Sequence, residues 1–382
     1  MKRVLITGGA GFIGSNLTLK LLENGFTVRI LDTLSEQIHG IDALNESFLF
    51  SQIKDKCEFI KGSVLDVNLV KECIDDIDVI IHLAAETGTG QSMYEVSNYV
   101  ATNSLGTANL LDVLVNTPNK VQKFIVASSR SIYGEGKYLD TANNEFVYPE
   151  SRKLEDLTKG RFDLYDPIDG KSYVPVSTDE NSRILPGSLY AITKYNQEQM
   201  ALSVCKSISI PCLALRFQNV YGPGQSLLNP YTGILAIFSS LILKGSKINI
   251  FEDGLESRDF VFISDVVDSI ILALELEKPL WEAINIGTGV PISVLSVANR
   301  LMDGYQRQVQ LDVTKEFRIG DIRHNFADLN KAKSLLEFDP KVNFDLGIAK
   351  FCEWVLLQKG HDDFISKYQN SIEKMRNRGL HK

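Results

Sequence analysis

Short apolar runs alternate with amphipathic stretches along the first two thirds of this chain. Val4-Leu5-Ile6 precedes a helix-like stretch over 15–23, which leads into the strand-like run Thr27-Val28-Arg29-Ile30-Leu31. Further strands are expected at 57–61, 78–83 and 123–128, with a long helical segment over about 97–115 between the last two. Apolar runs continue near 210–217, and β and helical signals keep alternating beyond. Strands that alternate with helices in this way predict an α/β fold, a doubly wound parallel sheet. Residues 137–181 break the rhythm: they are polar, contain aromatics, lack periodicity and carry Pro149, Pro167 and Pro175. A connection of that length inside a compact domain is usually functional or disordered.

Between the first strand and the first helix stands Thr7-Gly8-Gly9-Ala10-Gly11-Phe12-Ile13-Gly14. Three glycines at this spacing are weak evidence alone, but here they fall between a strand and a helix. Gly8 allows the tight turn, Gly11 lets the backbone approach a pyrophosphate, and Gly14 lets the helix pack close on the sheet. Asp32 closes the second strand at about the distance expected of a ribose-binding acid. Its carboxylate accepts from both ribose hydroxyls and repels a 2′-phosphate. No Lys or Arg occurs in Thr33-Leu34-Ser35-Glu36-Gln37, so NAD is expected rather than NADP.

Composition narrows the class. The 382 residues are 44% hydrophobic and 23% charged, enough for one large core and a second, smaller lobe. A formal net charge of −8 with no basic block argues against nucleic acid or an anionic membrane as partner. A phosphorylated ligand would then need a few placed arginines. The five cysteines are scattered without a C-x-x-C pair, and the five histidines lack metal-ligand spacing, so no metal is expected. The chain opens directly into a strand and holds no apolar run of membrane-spanning length, which predicts a cytoplasmic protein.

Candidate chemistry lies on either side of the 137–181 insertion. Tyr190-Ala-Ile-Thr-Lys194 starts a helix that continues through Gln197, Met200 and Val204. Residues four apart on a helix share a face, so the ammonium can sit near the phenol. A phenol titrates near 10, and lowering that by roughly 3 units takes on the order of 4 kcal/mol. A lysine, the nicotinamide charge and a hydroxyl hydrogen bond can supply it. Tyr133-Gly-Glu-Gly-Lys137 has the same spacing, but its two glycines break the helix that would hold the pair. The fifth strand ends in Ser128-Ser129-Arg130-Ser131, and polar residues at the carboxyl end of a parallel strand face the ligand crevice. Ser129 is the natural partner of Tyr190. His82 reads as a structural strand-end residue rather than a base.

These features together resemble the extended short-chain dehydrogenase/reductase superfamily: the glycine loop, Asp66, His82-Leu83-Ala84-Ala85, Asn103, the serine motif and Tyr190/Lys194. Four later motifs resemble its nucleotide-sugar epimerase/dehydratase branch: Arg216-Phe217-Gln218-Asn219-Val220-Tyr221-Gly222-Pro223, Ser257-Arg258-Asp259-Phe260-Val261, Asn285-Ile286-Gly287-Thr288-Gly289 and Gly320-Asp321-Ile322-Arg323. The resemblance runs from Lys2 to about Trp354. It implies a Rossmann domain over 1–220, carrying the 137–181 insertion, and a smaller α/β substrate lobe mainly over 221–382, with 257–276 returning to the first domain. It further implies that Gly8, Gly11, Phe12, Ile13 and Gly14 hold the pyrophosphate of NAD. Asp32 would hold the ribose, Asp66 and Val67 flank the adenine, and Leu83, Ala84, Ala85, Asn103 and Ser128 line the cofactor cleft. Ser129, Tyr190 and Lys194 would be catalytic, with Tyr190 and Lys194 also touching the cofactor. Thr87, Ser129 and Asn219 would face the sugar nucleotide, and Arg258 and Arg323 its diphosphate. The alternative for Arg258 is pairing with Asp259 or Glu256, and for Arg323 pairing with Asp321.

Departures from the branch decide the reaction expected. Glu86 matches the 4,6-dehydratases, but these carry an acid pair after the catalytic hydroxyl, where this chain has Arg130 and Ser131. Neither performs acid/base work in its normal state, so 4-epimerisation is expected instead. The runs Glu86-Thr87-Gly88-Thr89-Gly90-Gln91-Ser92-Met93-Tyr94, Gln218 to Ser226 and Asn229-Pro230-Tyr231-Thr232-Gly233-Ile234, with the long insert, resemble enzymes of the dTDP-L-rhamnose 4-epimerase type. UDP-hexose 4-epimerases and keto-sugar reductases stay open, and a non-catalytic NAD-binding scaffold is a remote alternative. The two long helices carry apolar residues on more than one face (Leu105, Ala108, Leu111 and Leu114; Ala191, Met200, Ala201 and Val204); one face packs on the sheet, and the surplus predicts a homodimer.

Overall fold

In the computed structural model, which describes residues 2–227, 229, 233–358 and 364–382, apolar sequence runs become a central sheet. Its strands are β1 (Arg3–Thr7), β2 (Thr27–Asp32), β3 (Glu58–Lys61), β4 (Val79–His82), β5 (Lys123–Ser129), β9 (Cys212–Phe217) and β13 (Trp281–Ile286). They lie in the order β13-β9-β5-β4-β1-β2-β3, and every neighbouring pair is parallel. Successive residues serve opposite faces: Phe124 and Val126 pack into one core, Ile125 and Ala127 into the other. This explains the unbroken apolar strands, since both faces are covered. The helices Val67–Ile74, Gly106–Asn116 and Leu189–Ser207 contribute to one core, Phe12–Glu23 and Ile263–Glu275 to the other.

The strand order reverses beside β1, which lies between β2 and β4. At that point the chain leaves β1 into Gly8, whose N–H bonds Leu31 O at 2.9 Å, while Leu83 N bonds Thr7 O at 2.9 Å. A crevice at such a switch point, beyond the carboxyl ends of the strands, is where open α/β sheets bind ligands.

The segment expected to be helical over 97–115 is helical with a fault in it. Val96–Tyr99 and Gly106–Asn116 are α-helical, and Val100–Leu105 between them is a π-helical turn. The wider turn buries Asn103 completely and leaves Val100 and Leu105 at the surface.

The insertion is ordered. Strands β6 (Tyr138–Asp140), β7 (Glu145–Val147) and β8 (Val174–Pro175) make a small antiparallel sheet, with a short helix at Leu154–Thr158. Thr178 then pairs with Ala327, stitching the end of the insertion to the smaller lobe. That lobe is built on β10 (Asn219–Tyr221), β12 (Ser257–Phe262), β14 (Pro291–Ser293) and β16 (His324–Asn325). A separate pair, β11 (Ile248–Ile250) with β15 (Leu311–Val313), lies beside them.

Two expected boundaries shift. Within 257–276 only the helix returns to the large domain, where it packs against Phe12–Glu23; the strand half, β12, is central to the small sheet. Residues 281–286, placed with the lobe by sequence, form the edge of the large sheet as β13. Ala283, Ile284 and Ile286 are buried there, and Lys123 Nζ donates to the last carbonyls of the preceding helix, at Ala273, Leu274 and Leu276. Pro230, Tyr231 and Thr232 of the expected substrate motif lie outside the described residues.

Candidate active site

The glycine loop is tight where it meets protein and open where a ligand would approach. Gly8 has φ +71°, and a Cβ there would meet Ala84 N at 2.7 Å; a Cβ on Gly14 would meet Gly9 Cα at 2.5 Å. At Gly11 the nearest atom would be Gly8 O at 3.4 Å. No side chain caps the helix that starts after Gly11, so its first N–H groups, from Phe12 to Gly14, face the crevice. Asp32 is held in place by Ala10 N at 3.0 Å and Leu34 N at 2.8 Å. Close by, His39 is kept neutral as burial outweighs the pull of Asp32. An uncapped helix end beside a fixed carboxylate fits the pyrophosphate and ribose of a dinucleotide. Leu83, Ala84 and Ala85 follow β4 as a half-buried wall, and Asp66 and Val67 are exposed beyond β3, with Asp66 capping a helix through Leu69 N at 3.1 Å.

Ser188 caps the helix Leu189–Ser207 by accepting from Ala191 N, and Ser92 Oγ accepts from Tyr190 N. These contacts fix the first turn, on which Tyr190 is half-buried with the Ser129 hydroxyl beside its phenol. Ser129 Oγ in turn accepts from Ser131 N at 3.2 Å and bonds Ser131 Oγ at 2.9 Å. Burial raises the phenol of Tyr190, while Ser129 and the cation of Arg130 pull it down. Lys194 lies one turn on, with 3% of its surface exposed and Nζ donating to Gln197 Oε1 at 2.8 Å. Burial pushes its ammonium down to about 7 against the pull of Glu198. Gln197 donates to Thr107 Oγ1, and His82 bonds Thr7 and Thr107 through its two nitrogens, so burial holds that ring down to about 3.

The second Tyr/Lys pair is split. Tyr133 OH accepts from Arg216 and bonds Asn285, whereas Lys137 pairs with Asp179.

Beyond Ser129, Asn219 Oδ1 accepts from Arg130 Nε at 2.9 Å, and the exposed Thr87 follows the half-buried Glu86. Arg258 is held by backbone carbonyls of Ser257, Ile322 and Arg323 rather than by Asp259 or Glu256. Asp259 accepts instead from Thr288, Gly289 and Ala327.

Three residues carried over from the resemblance need correcting. Arg323 is 1% exposed, and Asp163, Glu252 and Asp253 bind its guanidinium at 2.7–3.3 Å, so it has no face left for a diphosphate. Asn103 is sealed, its amide clamping Glu86 N and O and Thr193 Oγ1, so it positions the cleft wall instead of touching a cofactor. The Ser128 hydroxyl is committed to Glu198, which also receives the fork of Arg216. Sequence reasoning missed Gln197 and Glu198, although their spacing of three and four from Lys194 was visible. It also treated Arg130 only as a missing acid.

Comparison with known proteins agrees with this geometry. Residues 5–152 match the GDP-mannose 4,6 dehydratase family, and residues 168–287 match the NAD dependent epimerase/dehydratase family. A dTDP-L-rhamnose 4-epimerase of Burkholderia thailandensis is 36% identical over 356 residues, covering 93% of this chain and 95% of the relative. The crystal structure of a Thermotoga maritima UDP-glucose 4-epimerase with UDP-glucose superposes with a TM-score of 0.72 at 29% identity, covering 93% of this chain and 98% of that one. A Bacillus cereus UDP-glucuronic acid 4-epimerase in complex with UDP-glucuronic acid and NAD gives 0.73 at 25% identity, over 93% and 99%. With near-complete coverage on both sides, the chain belongs to the NAD-dependent epimerase/dehydratase family of extended short-chain dehydrogenases/reductases, as an NAD-dependent isomerase of nucleotide-sugar metabolism.

Proposed function

We propose that this protein is a 4-epimerase of dTDP-L-rhamnose, interconverting it with dTDP-6-deoxy-L-talose. The observation that carries the reaction type is the placing of the Ser129 hydroxyl beside the Tyr190 phenol, with Arg130 and Ser131 in the two positions after Ser129 and neither of them a carboxylic acid. NAD bound along the glycine loop supplies a hydride acceptor and donor for sugar C4. Tyr190 takes the O4 proton as that carbon is oxidised and returns it when the sugar has presented its other face. Ser129 orients the same oxygen, and Lys194, with ammonium hydrogens beyond its bond to Gln197, holds the nicotinamide ribose. Gly8, Gly11, Phe12, Ile13 and Gly14 hold the pyrophosphate and Asp32 the ribose. Arg258 faces the sugar diphosphate, and Asn219 and Thr87 the sugar.

The choice of sugar rests on the 36% identity to the Burkholderia enzyme. UDP-hexose 4-epimerisation is the second reading, favoured by the fold's likeness to UDP-sugar 4-epimerases. Residues 1–220 with 281–286 act as the cofactor domain and most of the remainder as the substrate lobe. The assembly is a cytoplasmic homodimer joined through the two long helices, where Val96, Val100, Leu105 and Ile192 are 42–52% exposed. Incubation with dTDP-L-rhamnose, UDP-glucose, UDP-N-acetylglucosamine and dTDP-glucose, with products resolved by NMR, tests the reading. Turnover of dTDP-L-rhamnose alone is expected. Turnover of UDP-sugars alone would transfer the assignment to the second reading, and loss of water from dTDP-glucose would overturn both.

A further inference from the structure

Arginines buried in this molecule are generally met by carboxylates. Arg29 pairs with Glu58, Arg152 with Glu135 and Glu252, Arg216 with Glu198, and Arg323 with Asp163 and Asp253. Arg130 is different. It commits Nε to a neutral amide oxygen, that of Asn219, and among the described residues no group accepts from its two terminal nitrogens and no carboxylate lies within ion-pair distance. Its neighbour Arg258 is likewise without a carboxylate among the described residues, with three of its five N–H donors given to backbone carbonyls. A half-buried guanidinium left with open donors, in a space it shares with a second cation, calls for an oxygen acceptor from outside the chain.

Its place in the chain says which oxygen. Arg130 directly follows Ser129, whose hydroxyl meets the Tyr190 phenol, and it reaches across to Asn219 at the start of β10. The open side of the fork therefore lies on the substrate side of the reacting pair. We propose that Arg130 is a catalytic residue of the epimerisation: its two free amines hold hydroxyl oxygens of the sugar next to the reacting carbon, and its cation stands beside the Tyr190 phenol. This rests on the 4-epimerase reading for its substrate contact, but not for its effect on the phenol.

Two further observations support the assignment. Ser129 and Arg130 are the groups that oppose burial at Tyr190, whereas Lys194 is turned to Gln197 and Glu198. Burial and the nearby Arg258 push the Arg130 guanidinium down to about 9, still above neutrality, so it stays a donor and exchanges no proton. The residue that removes the acid of a dehydratase thus brings in a fixed cation of its own.

The test uses the NAD-loaded enzyme with Arg130→Met, which loses charge and fork, and Arg130→Lys, which keeps charge alone. Ultraviolet titration of tyrosinate, taken as the difference from the matching Tyr190→Phe protein, reads the phenol without any substrate. In Arg130→Met the step should move up by about one pH unit or more, and in Arg130→Lys by less. The acid limb of kcat should move up with it, giving at least a tenfold loss (order of magnitude) at neutral pH. Arg130→Lys should keep the limb but raise KM several-fold, because an ammonium cannot replace a planar fork. NAD content and affinity for thymidine diphosphate alone should be unchanged in both. An unmoved phenol step in Arg130→Met would overturn the charge role, and unchanged KM in both variants would overturn the sugar contact. Should Arg130→Met fail to fold, Arg130→Lys with wild-type KM overturns the proposal. A wild-type enzyme that epimerises no sugar nucleotide would sink the 4-epimerase reading, while the phenol titration would still decide the effect of Arg130.

Discussion

Tyr190 needs to lose its proton in a site where burial resists the loss. Activity should therefore rise with pH on the acid side, and Tyr190→Phe should lower kcat by at least about 10² while bound NAD is retained; a steady-state assay with cofactor released by denaturation checks both. Lys194 carries the opposite strain, because burial holds its ammonium at about 7 in the fold against 10.5 for an ordinary lysine. The unfolded chain binds that proton more readily between these values, so this group's contribution to stability is least favourable below about pH 7 and improves as pH climbs toward 10.5. Lys194→Met should accordingly raise the unfolding free energy at pH 7 by an amount on the order of a few kcal/mol, and with it the thermal midpoint, and give little gain near pH 10.5. Differential scanning at the two pH values would show it, and equal shifts at both would refute it. The same variant should lose activity, a site residue held at the expense of stability.

At the scale of elements, what lay contiguous in sequence was readable and what depended on distant partners was not. The strands β1 to β5 and the helix after Gly11 follow from apolar runs and a glycine loop within a few residues of each other. The π-turn at Val100–Leu105 left no comparable trace, because its cause is tertiary: Asn103 reaches Glu86 on one side and Thr193 on the other. Tyr190, Lys194 and Ser129 stood out because one helical turn and one strand end sufficed to relate them. Arg323 misled, since its carboxylates come from Asp163 and Asp253, 160 and 70 positions away. The loop itself can be tested through Gly14→Ala. The added methyl would drive the helix Phe12–Glu23 off Gly8 and Gly9 backbone, which does not yield as a side chain would. Loss of copurified NAD and a destabilisation of about 1–3 kcal/mol are expected, measured by cofactor absorbance and urea unfolding.

For the molecule as a whole, the charges around buried Arg323 join three remote segments. Glu135 and Asp163 border or belong to the insertion, Glu252 and Asp253 belong to the lobe, and Arg152 bridges Glu135 to Glu252. Arg323→Ala would leave buried Glu252 to Arg152 alone and remove the shared partner of the more exposed Asp163 and Asp253, and a loss of about 1–3 kcal/mol in unfolding free energy is expected. The outcome to look for is a lowered midpoint with normal nucleotide binding in the fraction that stays folded; weakened binding at unchanged stability would contradict the buried geometry. Subunit pairing is tested separately. Leu105→Lys on the exposed helix face should convert a dimer to a monomer in light scattering at micromolar concentration, with the fold intact by circular dichroism.

The late arrival of β13 bears on how the protein is made. β9, buried along its whole length, waits for a neighbour that emerges from the ribosome some sixty residues after it, on the order of several seconds at ordinary synthesis rates. Until then an apolar strand offers an open edge to any other chain nearby. Truncation before Trp281 would make that exposure permanent, so such a fragment should be insoluble even though it contains the entire glycine loop and Tyr190.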